Sequence, residues 1–238
     1  MNILVVYLDL DGVMADYDAG IAGLGYHVDP SIKHDLNRSG THHPLKREMY
    51  ERIQGTQFYR NLPLLPGAVE LYLEARDLAG GADPIILTAA PKFGATEDDF
   101  HLNPHWLGAA YHKRAWVETT LRRTALEEAG ARRFEFISAE YRQPIADELF
   151  ICTTSARKVQ FMHRRPGERQ VLVDDRIANV TAWAEAGGIG ILHRDAETSI
   201  AALRRVAQWD GDTALEGFEP IYDVTRAGVT VGRLFTGA

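Results

Sequence analysis

Short apolar runs alternate with longer stretches of helical period along most of this chain. Ile3–Leu8, Pro84–Leu87, Phe134–Ile137, Leu149–Cys152, Val171–Val173 and Ile189–Leu192 have the apolar, branched character of strands covered on both faces. Helical patterns lie between several of them, at Pro66–Ala79, Lys113–Ala129, Ser155–His163 and Ile177–Ala186. Pro66-Gly67 marks a helix start, and Gly187-Gly188 a stop. This alternation predicts an α/β fold: a three-layer, Rossmann-like parallel sheet with right-handed crossovers.

Two stretches break the rhythm. Met14 to Pro63 has scattered apolar positions and histidines at His34, His42 and His43, and predicts a small, mostly helical cap inserted after the first strand. The spacing of those histidines does not suggest a second metal site. Phe93 to Ala110 predicts a long connection, acidic at Glu97-Asp98-Asp99, of the kind that is either functional or decorative. Beyond Asp210, Pro220–Val224 and Val229–Phe235 are weak strand candidates, either an edge hairpin or a homodimer contact. The resulting division is a core of residues 1–13 and 64–205, a cap of residues 14–63 and a C-terminal extension of residues 206–238.

Chemistry gathers where the strand patterns end, as expected for the carboxyl edge of a parallel sheet. Ile3–Leu8 runs into Asp9-Leu10-Asp11-Gly12-Val13. A period of two puts both acids on one side, and Gly12 lets the chain turn away. Two neighbouring carboxylates repel and call for a cation, and magnesium suits their oxygens. An ordinary turn would also accept this pentad. A calcium loop would continue with further oxygen ligands and a glutamate; here Val13-Met14-Ala15 follows, and the Asp16 that then comes is not followed by the glutamate. Three more tips repeat the theme: Thr88-Ala89 after Ile85-Ile86-Leu87, Lys158 beyond the Thr/Ser turn after Cys152, and Asp174-Asp175-Arg176 after Val171-Leu172-Val173. Singly, Thr88 and Asp174 could be helix caps and Lys158 a surface lysine.

Taken in order, these four motifs resemble the haloacid dehalogenase (HAD) superfamily of phosphotransferases, over about residues 1 to 205. A closer resemblance is to the 5'(3')-deoxyribonucleotidase family. It rests on Asp11-Gly12-Val13-Met14-Ala15-Asp16-Tyr17, on Phe58-Tyr59-Arg60-Asn61-Leu62-Pro63 leading to Pro66-Gly67-Ala68, and on Lys113-Arg114-Ala115-Trp116-Val117. Asp174-Asp175-Arg176 with Asn179 and Trp183, and Gly187-Gly188-Ile189 before His193, complete it.

The resemblance implies a HAD core and a magnesium-dependent phosphomonoester hydrolase for a nucleoside monophosphate, a deoxyribonucleotide with its phosphate at the 5' or 3' position. Asp9 is then the nucleophile that forms an aspartyl-phosphate, and Asp11 the general acid and base. Magnesium is held by Asp9, the backbone carbonyl of Asp11 and one or both of Asp174 and Asp175. Thr88, the N–H of Ala89 and Lys158 bind the transferring oxygens. Lys92 and Lys113 match lysines that contact substrate phosphate, with plain surface lysines as the alternative. Tyr17 matches an aromatic position near the nucleobase, with a cap-anchoring core tyrosine as the alternative. The Phe93–Ala110 stretch, Ser138 to Asp147 and the tail past Leu203 look like additions to the compact family pattern. They leave a sugar or other small phosphomonoester open as the substrate. A receiver-type phosphoacceptor also uses strand-tip Asp, Thr and Lys residues, but its acidic pair precedes its phosphorylated Asp, the reverse of the order here. A catalytically silent binding protein on the same fold would not need all four motifs.

Bulk properties narrow the partners. A formal charge of −7 over 238 residues argues against broad binding to nucleic-acid polymers or anionic membranes. No apolar run approaches a membrane span or a signal peptide. The one cysteine, Cys152, lies in an apolar run and reads as a structural thiol in a reducing compartment. The expectation is a soluble, cytoplasmic protein.

Overall fold

The structure is a computed structural model that describes residues 3–26, 44–132, 144–163, 165–211, 213–222 and 229–237. The strand expected at Phe134–Ile137 and the cap histidines His34, His42 and His43 lie outside the described residues.

β1 (Ile3–Leu8) occupies the middle of a seven-stranded sheet. Beside it run β2 (Ile85–Ala89) and β3 (Phe150–Thr153) on one side, and β4 (Glu168–Asp174) and β5 (Ile189–Leu192) on the other. β6 (Glu219–Tyr222) and β7 (Thr230–Phe235) complete the order β3-β2-β1-β4-β5-β7-β6. Every pairing is parallel except β6 with β7. The tail therefore joins the sheet, with β7 seated against β5 and β6 forming the antiparallel edge. Gly232 permits this seat, because a Cβ there would lie 2.0 Å from the carbonyl oxygen of Ala184.

Alternation along β1 sorts its side chains into two layers. Leu4, Val6 and Leu8 face the larger core, with Leu71, Trp116 and Leu203. Tyr7 faces a smaller core with Leu87, Leu172 and Trp183. The first layer holds α3 (Ala68–Leu78) and α7 (Ala196–Gln208); the second holds α6 (Ile177–Glu185), which carries Trp183. Trp183 is fully buried and meets Tyr7 edge-on at 4.7 Å, and its indole N–H donates to the Gln170 carbonyl at 3.1 Å. Truncating such a ring to Ala costs about 3–5 kcal/mol.

Two elements differ from the pattern-based expectation. The helix expected at Lys113–Ala129 begins at Pro104, so the supposed Phe93–Ala110 connection ends in helix. The Asn103 side chain accepts from the N–H groups of His105 and Trp106, and Pro104 needs no N–H partner at the first turn. α4 (Pro104–Trp116) then passes through a π-helical turn at Val117–Leu121 into α5 (Arg122–Arg132). The helix expected at Ser155–His163 is a 3-10 turn over Ser155–Phe161. Three residues per turn align Ser155 with Lys158 and keep Lys158 under the sheet edge.

Between β1 and α3 the described chain forms α1 (Tyr17–Gly23), α2 (Pro44–Ile53) and a 3-10 turn at Phe58–Asn61. The two connecting segments are laced together: Asp16 N–H donates to Pro63, Leu65 N–H donates to Met14, and Ala15 bridges Leu64. The Trp116 indole donates to the Leu62 carbonyl at 2.6 Å, which ties this junction to α4. Among the described residues, no helix is long and apolar enough to cross a membrane.

Candidate active site

Beyond β1 the chain folds back on itself, with the N–H groups of Met14 and Ala15 donating to the Leu10 carbonyl. Gly12 makes this turn at φ +79°, and a Cβ on it would lie 2.6 Å from Asp175 Oδ2. The turn thus brings the β1 tip against the β4 tip, and the Asp9 N–H donates to the Val173 carbonyl at 2.9 Å.

The acids are divided between two buried lysines. Lys158, 2% exposed, places Nζ 2.8 Å from Asp9 Oδ1 and 2.6 Å from Asp174 Oδ2. Lys113, fully buried in the last turn of α4, donates to Asp11 Oδ2 at 2.6 Å and to Thr88 Oγ1 at 3.0 Å. Its ammonium also lies 4.6 Å from the centre of the Tyr59 ring, within cation–π range.

The details of these contacts separate the roles. Asp9 Oδ1 takes both Lys158 and the Leu10 N–H, which leaves Oδ2 unengaged on a residue lining the cavity. Asp174 accepts from Lys158, the Arg176 N–H and both oxygens' contacts with Asn179 Nδ2, so its lone pairs are filled. Asp11 Oδ1 is buried without a hydrogen-bond partner among the described residues. Burial raises the Asp11 pKa, with Lys113 opposing and Asp9 adding to the rise. For Lys158, burial works against the charge, but Asp174 and Asp9 outweigh it and hold the ammonium well above its ordinary range.

Asp9, Asp174 and Asp175 each place a carboxylate oxygen within 4.8 Å of the others; with Asp174 already accepting from Lys158, Arg176 and Asn179, Asp9 and Asp175 are the acids left to face a hard divalent cation. The Asp11 carboxylate is outside that trio, with Lys113.

Asp9, Asp11 and Asp175 open into a cavity of about 550 Å³, within the usual range for small-molecule sites. Its floor includes Asp9, Asp11, Ala89 and Asp175; Tyr17, Tyr26, Met49 and Tyr50 line it from the α1–α2 region. Tyr17 packs edge-on against Phe58 at 5.5 Å and near-parallel to Tyr59 at 6.4 Å. Tyr50 meets Phe93 edge-on at 6.4 Å, and burial pushes its hydroxyl up to about 12. Cys152 pairs in register with Thr88, and burial pushes its thiol up to about 12, so it stays an inert thiol at neutral pH.

Of the residues singled out by sequence, Asp9, Asp11, Thr88, Lys113, Lys158, Asp174 and Asp175 converge, and Ala89 and Tyr17 line the same cavity. Lys92 also lines it, but its ammonium is 3.0 Å from Glu97 Oε1. Pattern reading gave no site role to Asn179, Thr154 or Glu97. Asn179 had a signal, a polar residue one helical turn past an acidic strand tip; the other two are defined by tertiary contacts.

No protein-family model matches the sequence, and no curated protein does either. Among solved structures, the chain aligns with a HAD family hydrolase from Deinococcus radiodurans R1 that holds phosphate and sodium. The alignment has 16% identity, covers 85% of this chain and 88% of that one, and has a TM-score of 0.27. At that distance, the chemistry has to be argued from the cavity's own residues.

Proposed function

We propose that this protein is a magnesium-dependent phosphomonoester hydrolase that acts on a nucleoside monophosphate, a deoxyribonucleotide, through an aspartyl-phosphate. The observation that carries the reading is the division of Asp9 and Asp11 between Lys158 and Lys113 at the floor of one tyrosine-lined cavity.

In the first step, Asp9 Oδ2 attacks phosphorus, the ester P–O bond breaks, and Asp11 gives its proton to the departing alkoxide. Burial raises the Asp11 pKa, the direction that favours a general acid. In the second step, Asp11 takes a proton from water, whose oxygen attacks the same phosphorus. Inorganic phosphate leaves and the Asp9 carboxylate is restored. Thr88 accepts from Lys113, so its own O–H is available to donate to a phosphoryl oxygen. Lys158 fixes Asp9 and offsets charge beside the phosphoryl group.

Magnesium, held by Asp9, the Asp11 carbonyl and Asp175, would neutralise charge on the phosphoryl oxygens. Asp174, saturated by its four donor contacts, anchors Lys158 behind that set. The four tyrosines Tyr17, Tyr26, Tyr50 and Tyr59 give the cavity flat apolar faces on which a base can stack.

The test is phosphate release from a panel of nucleoside 5'- and 3'-monophosphates and sugar phosphates, with magnesium and with chelator. Turnover of a deoxyribonucleotide that needs magnesium and disappears in Asp9→Asn is the expected result. Negligible activity on every nucleoside monophosphate, with brisk activity on a sugar phosphate, would transfer the chemistry to the other substrate class.

A further inference from the structure

The Phe93–Asn103 segment brings a carboxylate of its own into the cavity wall. Thr154, 4% exposed, donates Oγ1 to Glu97 Oε2 at 2.7 Å. Lys92 Nζ lies 3.0 Å from Glu97 Oε1, and Arg157 Nε lies 3.6 Å from Oε2. A hydroxyl, an ammonium and a guanidinium thus converge on a single anion, the composition of a site for an anionic ligand. Burial acts to raise the Glu97 pKa, but Thr154, Lys92 and Arg157 outweigh it and hold the carboxyl below its ordinary range.

The surroundings keep the glutamate there. Asp99 accepts from Thr96 N–H and Oγ1, and Asn103 Nδ2 reaches the Lys92 and Phe93 carbonyls across the base of the loop. Arg157 is held in turn by Asp98 at 3.1 Å. Lys92, Glu97 and Thr154 all line the same cavity as Asp9.

We propose that Glu97 is a specificity-determining residue: its carboxylate fills an anion pocket formed by Lys92, Thr154 and Arg157, and so limits the site to substrates with a single anionic group. The proposal rests on the phosphatase reading for its kinetic consequence, but not for its binding consequence. A monophosphate is bound at Asp9 and Thr88 with the pocket already occupied. A second phosphate or a carboxylate on the same substrate meets the Glu97 charge instead of three donors.

Glu97→Gln keeps the side chain's shape and removes its charge. Calorimetric titration of the full chain with inorganic phosphate and with pyrophosphate is the direct test, and it needs no turnover. The charged side chains Lys92, Glu97 and Arg157 are 30%, 40% and 31% exposed, so solvent screens the effect. The E97Q variant is expected to gain roughly tenfold in pyrophosphate affinity with less than about a twofold change for phosphate, the scale of one charged hydrogen bond. Adding Lys92→Met should cancel the gain. The kinetic arm compares a nucleoside 5'-monophosphate with the 3',5'-bisphosphate, whose kcat/KM ratio should move by a similar factor. Equal gains for both anions would show that Glu97 only screens the cavity, and overturn the proposal. Unchanged affinities with a lowered melting temperature would make Glu97 a loop pin, and overturn it as well. If no phosphoester is turned over, the functional reading fails while the titration still decides the pocket.

Discussion

Gly12→Ala should separate the metal site from the fold. The new methyl would be placed 2.6 Å from Asp175 Oδ2 and 2.8 Å from its Cγ. Relaxed contact between such atoms needs about 3.4 Å, so the carboxylate has to retreat by roughly 0.8 Å. Metal–ligand distances tolerate only about 0.2 Å, so that retreat removes Asp175 as a ligand. The backbone at φ +79° adds strain of about 1–2 kcal/mol for a non-glycine residue. At roughly 2–4 °C per kcal/mol for a chain of this size, the melting temperature should fall by about 2–8 °C. Gly80 provides the control, with φ +72° and no atom within 4 Å of an added Cβ. Gly80→Ala carries the same backbone strain without the clash. Calorimetric magnesium titration and thermal melts of both variants form the assay. Gly12→Ala should bind magnesium at least about tenfold more weakly, while Gly80→Ala binds it like the wild type. Equal magnesium affinity in the wild type and Gly12→Ala would refute the assignment of Asp175 as a ligand.

Two other perturbations test the buried charges. Lys158→Met leaves Asp9 and Asp174 without their shared ammonium, and breaking a buried pair of this kind costs about 3–5 kcal/mol. Burial already raises the Asp174 pKa and Lys158 opposes that rise, so without the cation the deficit should be largest at pH 8 and shrink toward acid in urea titrations; a deficit that grows toward acid would contradict this. His193, buried against Ser199 Oγ at 2.9 Å, is pushed by burial from its ordinary 6.5 down to about 4. Its neutral form is the one the fold accepts, so its contribution is complete above pH 6.5 and is lost as pH falls from there toward 4. The loss approaches about 3 kcal/mol at most, and His193→Gln should flatten that part of the pH–stability curve; an unchanged slope would assign the acid sensitivity elsewhere.

Sequence alone revealed the strands and their tips because parallel strands buried on both faces leave uninterrupted apolar runs, and the polar residue that ends each run is the one at the sheet edge. Asp9, Thr88 and Asp174 were visible for that reason. Thr88 and Asp174 prove to be within β2 and β4 rather than just past them, since backbone pairing continues as far as Ala89 with Thr153 and Asp174 with Leu192. The helix expected from Lys113 begins earlier, at the Asn103-Pro104 capping signal, and its apolar stripe is blurred because Leu107 and Tyr111 face outward while Trp106, Ala109 and the charged Lys113 are buried. A lysine facing inward reads as solvent-facing until its partners are known. The seat of β7 beside β5 was hidden for a different reason: it depends on Gly232 matching Ala184 and Gly188, a close approach with no periodic trace. Glu97 was visible as acidic, but acidity does not say which three donors a carboxylate will meet.

On the proposed function Asp9 is the nucleophile and Asp11 the acid, yet two acids one strand period apart share a backbone direction and nothing local distinguishes them. The difference comes from distant parts of the chain. Lys158, on the 3-10 turn after β3, holds Asp9 by one oxygen and shares its charge with Asp174. Lys113, on α4, takes one oxygen of Asp11 while the other is buried without a hydrogen-bond partner among the described residues. A buried oxygen with no donor is stabilised by carrying a proton, whereas an oxygen opposite a fixed ammonium is stabilised by staying charged. The ammonium of Lys113 opposes the protonation of Asp11 but does not outweigh its burial. On that reading the pentad at the β1 tip supplies proximity, each lysine holds one oxygen of one acid, and the burial of the second Asp11 oxygen supplies the asymmetry that two-step phosphoryl chemistry requires.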